Sequence, residues 1–112
     1  MSIVRQSASI AASGANSDQL TTDGVPLETR VATQDGVVTL MAVATLADIL
    51  ITLLVNGQRT TIDARPVIKA TGPIYPDDVV AQVPVLAGDV ISMATRNTNA
   101  AANTLFYYLD IP

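Results

Sequence analysis

The sequence predicts an all-β domain folded as an antiparallel β-sandwich, and three observations carry that prediction. Short runs rich in Val, Ile and Thr recur along most of the chain, and several place apolar side chains at every second position, the period that gathers them on one face of a strand. Turn chemistry separates the runs: Asp35-Gly36, Asn56-Gly57, Gly88-Asp89 and prolines 66, 73, 76 and 84. Neither an internal repeat nor a heptad pattern interrupts this rhythm, and 112 residues suffice for one domain with a real core.

Residues 1–24 stand apart. Ser, Ala, Gly, Asn and Gln dominate, and apolar residues are sparse: Ile3, Val4, Ile10 and Leu20. This stretch is expected to be an extended N-terminal arm, ordered only against a neighbouring subunit, or else a frayed terminus. The sandwich body is expected over residues 25–112.

Within the body, residues 29–34 read as a first strand ending at the Asp35-Gly36 turn, and residues 37–43 as a second. Residues 48–55 form a third, with Ile49, Ile51, Leu53 and Val55 on one face and a mixed set (Asp48, Leu50, Thr52, Leu54) on the other. Asn56-Gly57 then reverses the chain, because both residues tolerate the positive φ of a type I′ turn, and residues 58–63 return antiparallel. A helix over 46–54 is the rival reading, since Thr45-Leu-Ala-Asp48 has the form of a capping box. The density of β-branched residues and the hairpin turn directly after the run favour a strand. Residues 72–78 read as a loop. Residues 79–83 form a strand that Pro84 confines to an edge or a strand end. A Gly turn leads into a strand ending near Thr95, and residues 104–111 close the fold with Leu105, Tyr107, Leu109 and Ile111 on one face.

Composition narrows the function. Only 14% of residues are charged, well below the roughly 25% of an average domain. Charge is depleted in the cores of interfaces, because a buried unpaired ion is costly, so this deficit points to assembly. Net charge is −4 with a single lysine, Lys69, and no basic cluster, so no nucleic-acid partner is expected. There is no cysteine and no histidine. Thiolate metal sites and disulfides are thereby excluded, and so are the commonest general base and metal ligand. No cofactor is expected. Residues 37–55 match a membrane span in length, but Asp48 lies near the middle and neither basic residues nor an aromatic belt flank the run, so no membrane partner is expected. The first ten residues lack the continuous apolar stretch of a secretory signal.

Few residues suggest chemistry. Asp77, Asp78 and Asp89 could offer oxygen ligands to Ca²⁺, but without the alternating acidic spacing of a calcium loop they read better as solvated turns. Serine and threonine are plentiful, yet no histidine could activate them and no G-x-S-x-G elbow occurs, so no enzyme is expected. The aromatic residues Tyr75, Phe106, Tyr107 and Tyr108 suggest carbohydrate as an alternative partner. Alternation places Phe106 and Tyr108 opposite Tyr107, as an outward pair that could meet sugar, a second sheet or another subunit. The candidate interface residues are therefore Ile3, Val4 and Ile10 on the arm, with Phe106 and Tyr108 on the last strand.

Residues 49–57 (ILITLLVNG), residues 86–93 (LAGDVISM) and the C-terminal aromatic strand together resemble jelly-roll domains of the complement-head and tumour-necrosis-factor type. In that fold a strand ending in Asn-Gly and a Gly-Asp turn into the penultimate strand recur at similar relative positions. The motifs cover about a third of the chain, and the resemblance implies a jelly-roll-like sandwich. As a whole, the chain is similar to the cement or staple (decoration) proteins of tailed-phage capsids: of this size, cysteine-free, poor in charge, with a jelly-roll body and a terminal arm. That likeness implies a structural virion protein on the capsid exterior, made in the host cytoplasm, a dimer or trimer that clamps neighbouring major capsid subunits. The alternatives are a carbohydrate- or receptor-binding jelly roll of a virion spike or adhesin, and a secreted trimeric ligand domain.

Overall fold

The computed structural model describes residues 2–112. Nine strands account for most of it: β1 Ser2–Ile10, β2 Ala15–Asn16, β3 Gly36–Ala44, β4 Ile49–Val55, β5 Gln58–Ala64, β6 Val67–Ile68, β7 Val79–Val85, β8 Ile91–Asn97 and β9 Asn103–Ile111. One helical turn, α1 Gln19–Thr22, and a 3₁₀ turn over Leu27–Arg30 lie between β2 and β3. The molecule is an all-β sandwich of two sheets. In the first, β1, β9, β3 and β7 lie side by side and antiparallel, with the short β6 joined parallel to the far end of β3. The second is β2-β8-β4-β5, antiparallel throughout.

Alternation builds the core. Leu105, Tyr107, Leu109 and Ile111 of β9 face inward beside Leu40 and Ala42 of β3, and meet Ile49, Ile51, Leu53, Ile91 and Met93 from the other sheet. The hairpin expected at Asn56-Gly57 is present: both residues have positive φ (52° and 79°), and Val55 pairs with Gln58. The helix considered over 46–54 does not form. Pro84 sits in β7, which pairs with β3 alone and is an edge, as a proline requires. No helix among the described residues is long and apolar enough to cross a membrane.

Two expectations are corrected. The segment expected as an arm over residues 1–24 is, from residue 2 on, part of the sandwich; Met1 lies outside the described residues. β1 pairs with β9 over its whole length, from Ser2 opposite Ile111 to Ile10 opposite Asn103, and Val4, Ala8 and Ile10 enter the core. The division at residue 24 therefore does not separate an arm from a body. The strand expected over 29–34 is replaced by the 3₁₀ turn and one isolated bridge, Val31 to Val90. Arg30 is the reason: its buried guanidinium donates to Val25 O (2.9 Å), Asp18 Oδ2 (2.7 Å) and Thr21 Oγ1 (2.8 Å), which draws the chain into a turn.

Around α1 the same cluster extends into the core. Asp18 caps the helix by accepting from Leu20 N. Tyr107, buried on the inner face of β9, donates its phenol proton to Asp23 Oδ2 at 2.6 Å. Burial first, and then the Asp23 carboxylate, push that phenol well above its ordinary value. Gln19 donates to Asp23 and accepts from Thr95 and Asn16. Among the described residues no buried side-chain nitrogen or oxygen lacks a hydrogen-bond partner.

Candidate interaction surface

Each sheet carries an unpaired apolar surface on its outer side. On the four-stranded sheet it is a groove. Inward-facing Ile49, Ile51 and Leu53 leave Leu50, Thr52 and Leu54 of β4 pointing outward, next to Ala94 and Arg96 of β8. β5 supplies the wall. Its register against β4 shifts twice, and Asp63 takes a φ of 52° while its amide donates to Thr52 Oγ1 (3.2 Å). Such irregularities bend a strand. The result is an open concavity of about 700 Å³ lined by Leu50, Leu54, Ile62, Ala94, Arg59 and Arg96, among others. Arg96 pairs with Asp63 at 3.6 Å across β4. Both side chains are half exposed, so the pair orders the rim with little effect on stability.

On the other sheet the surface is the segment 66–78, which starts with β6 and then loops back over the outer face, where Gly72 meets the Tyr108 hydroxyl. Four contacts brace it. Lys69 N donates to Ala44 O (3.0 Å), and Ala42 N donates to Asp78 O (3.1 Å). Lys69 Nζ donates to Asp78 Oδ2 at 2.6 Å, and Ile74 N to the same oxygen at 2.8 Å. Asp78 is only 1% exposed. Its carboxyl is held below the usual carboxylate range, chiefly by the Lys69 hydrogen bond and then by the Ile74 amide. Held in this way, the loop presents apolar side chains to solvent: Ile68 is 59% exposed, Ile74 55% and Tyr75 65%. Leu46, Pro66 and Ile68 join across a shallow hollow of about 90 Å³, so the apolar surface continues onto the β3–β4 turn.

The residues singled out from the sequence fall into three environments. Val4 and Ile10 are buried in the core and are not available as a surface, whereas Ile3 on the same strand is exposed. Phe106 and Tyr108 point away from the core, as alternation requires, but both are half-buried. The Arg5 guanidinium lies 5.3 Å from the Tyr108 ring centre, within cation–π range. The Tyr108 hydroxyl stands so close to Gly72 that a Cβ there would come within 3.0 Å of it. Tyr108 is thus flanked by Arg5 and the 66–78 loop, leaving little of its ring for a sugar. The groove on the opposite sheet has no aromatic side chain in its lining.

The acidic residues Asp78 and Asp89 serve different turns. Asp78 braces the loop just described, whereas Asp89 accepts from Leu86 N and Asn56 Nδ2, both of which lower its pKa, the Leu86 amide more. Asn56 also bonds Val90 through backbone and side chain, so the Asn56-Gly57 and Gly88-Asp89 turns are tied to each other at one end of the sandwich.

Sequence reasoning missed the groove and the loop surface. The mixed outer face of β4 was the available signal for Leu50 and Leu54. For Ile68, Ile74 and Tyr75 it was apolar residues set among prolines 66, 73 and 76, where a solvated loop would carry polar ones. Comparison with known protein families and with curated proteins returns no match, so the functional reading rests on the surfaces themselves.

Proposed function

We propose that this protein is a non-enzymatic structural clamp of the capsid-decoration kind, binding the outside of a phage capsid and holding neighbouring major capsid subunits together. One observation carries the proposal: two apolar surfaces lie on outer faces of opposite sheets, the braced 66–78 loop on one and the Leu50/Leu54/Ile62 groove on the other. A clamp must touch two neighbours at once, and two surfaces pointing away from each other are suited to that. The rigidity of the loop helps, because a surface already fixed by the Lys69–Asp78 pair loses little conformational entropy on docking. Repetition over a shell then sums modest contacts through avidity.

The strand order supports a jelly-roll reading of the sandwich. Leaving aside the two-residue β6, the strands run β1-β9-β3-β7 in one sheet and β2-β8-β4-β5 in the other, so the chain changes sheet at nearly every connection. Eight strands wound in this way match a double-sheet jelly roll. The flanked position of Tyr108 and the lack of aromatic side chains in the groove lining give the carbohydrate alternative no specific support.

Co-sedimentation with undecorated phage capsid shells tests the proposal. The protein should pellet with shells, and Ile74→Ser with Tyr75→Ser on the loop, or Leu54→Lys in the groove, should each weaken attachment by at least tenfold. Attachment that ignores either surface reduces the clamp to a one-sided adhesive, and no attachment at all overturns the proposal.

A further inference from the structure

The edges of the two sheets differ in a way that points to a self-association surface. A strand edge is a row of unpaired backbone donors and acceptors, and proteins normally blunt it with prolines, bulges, charges or short length. Four of the five edge strands here carry such a device. β2 and β6 are two residues long, β7 contains Pro84, and β5 is broken by register shifts and carries Arg59 and Asp63. β1 has none of these. It runs nine residues in unbroken register with β9, without proline. Its one charge, Arg5, lies over the Tyr108 ring of the neighbouring strand. Among the described residues, nothing besides β9 hydrogen-bonds to the backbone of residues 2–9.

We propose that β1 pairs antiparallel with β1 of a second copy about a two-fold axis at Gln6, joining the two β1-bearing sheets into one continuous sheet. The sequence of β1 favours its own copy as the occupant. Pairing about Gln6 brings all nine residues into register, whereas centres at Arg5 or Ser7 each shorten the overlap. It keeps inward residues opposite inward residues, Val4 against Ala8 of the second copy, so neither hydrophobic row turns to solvent. It also sets Arg5 opposite Ser7, while a centre at Arg5 would oppose two guanidiniums directly. The chain carries a net charge of −4, but this strand contains no acidic residue, so charge does not hold the two edges apart. An interface of one strand pair is at the small end of stable contacts, below roughly 1,200 Å², so the dimer is concentration-dependent.

Sedimentation equilibrium of the full chain, from about 1 µM to about 1 mM, tests this without any capsid, so its outcome is separate from that of the attachment experiment. The expected result is a monomer–dimer equilibrium. Position 7 is solvent-facing and reads the register. S7R, which would face Arg5 of the second copy twice, should raise the dimer Kd by roughly two- to tenfold, and S7E should lower it by a similar factor. The double variant R5E/S7R should restore dimerisation. Hydrogen exchange should show the alternate amides of residues 2–9 that point away from β9 gaining protection as concentration rises. A monomer throughout, a trimer, or S7R and S7E shifting Kd in the same direction overturns the proposal.

Discussion

Two irregular connections cross this sandwich, residues 17–35 and residues 66–78, and they are built with the same device. In each, an aspartate accepts a backbone amide of the segment and pairs with a cation: Asp18 with Leu20 N and Arg30, Asp78 with Ile74 N and Lys69. What differs is the direction of the apolar side chains. The first segment turns Leu20 and Val25 into the core, and its polar groups complete a network that reaches Tyr107. The second turns Ile68, Ile74 and Tyr75 outward. An ion pair with hydrogen bonds fixes a path without deciding which side faces water, so the same brace can serve a core in one place and an exposed apolar surface in another. Substitutions in the first segment should therefore be read out in stability, and those in the second in attachment.

The largest stability effect should come from Leu20→Ala. Leu20 has 0% exposure, and truncating such a side chain removes both its burial and its packing partners, a loss of about 2–5 kcal/mol. Urea denaturation should show this as a lower midpoint with an unchanged slope. The same reasoning rules out removing residues 2–20 as a mild change: it would strip Val4, Ala8, Ile10 and Leu20 from the core together. A smaller loss is expected for Tyr107→Phe, which keeps the ring in the core but deletes its hydrogen bond to Asp23. Asp23 retains Gln19 as a donor, so the cost should be about 1–2 kcal/mol. A neutral Tyr107→Phe would mean that the network fixes the path of the segment without adding to its stability.

How much of this was legible in the sequence depends on whether the deciding contacts are local. The β4–β5 hairpin could be read because Asn56 and Gly57 by themselves permit the positive φ of its turn, and the inner face of β9 because four large apolar residues alternate without interruption. β1 looked like an arm because its inward row is weak. Gln6 interrupts it, Ala8 is small, and the outward row of Arg5, Ser7 and Ser9 is that of any solvated segment; only nine paired positions on β9, about a hundred residues away, make it a strand. The 3₁₀ turn at 27–30 depends on where the Arg30 side chain goes, which β-propensity does not encode. The exposed loop surface is a tertiary fact as well. Apolar residues among prolines mark a loop, but its path over the sheet is set by the Lys69–Asp78 pair and by backbone contacts to β3, which the local sequence does not encode.

The brace of the second segment can be weakened on its own by acid. Asp78 has its pKa lowered in the fold, so its contribution is present above the unfolded carboxylate value of about 3.9 and is lost as pH falls through the lower folded value. As pH falls below about 4 the 66–78 loop should loosen, with hydrogen exchange at the Ile74 amide rising before the core opens. In Asp78→Asn that local step should vanish, since the replaced group no longer titrates. Asp89, also lowered, acts at a separate turn and should leave the Ile74 signal unchanged when replaced.

The smallest stability effect belongs to the variant on which the proposed capsid attachment depends most. Ile74→Ser with Tyr75→Ser exchanges side chains that are more than half exposed and lie outside the core cluster, so stability should stay within roughly 0.5 kcal/mol of the parent for each change. The backbone contacts that brace the loop are untouched by either substitution, so its path should persist and the Ile74 amide should keep its protection. Loss of capsid attachment with stability unchanged would then assign the exposed side chains to binding. A large drop in stability instead would mean that Ile74 and Tyr75 cover the outer face of the sheet much as Leu20 fills the core, and the contrast between the two segments would disappear.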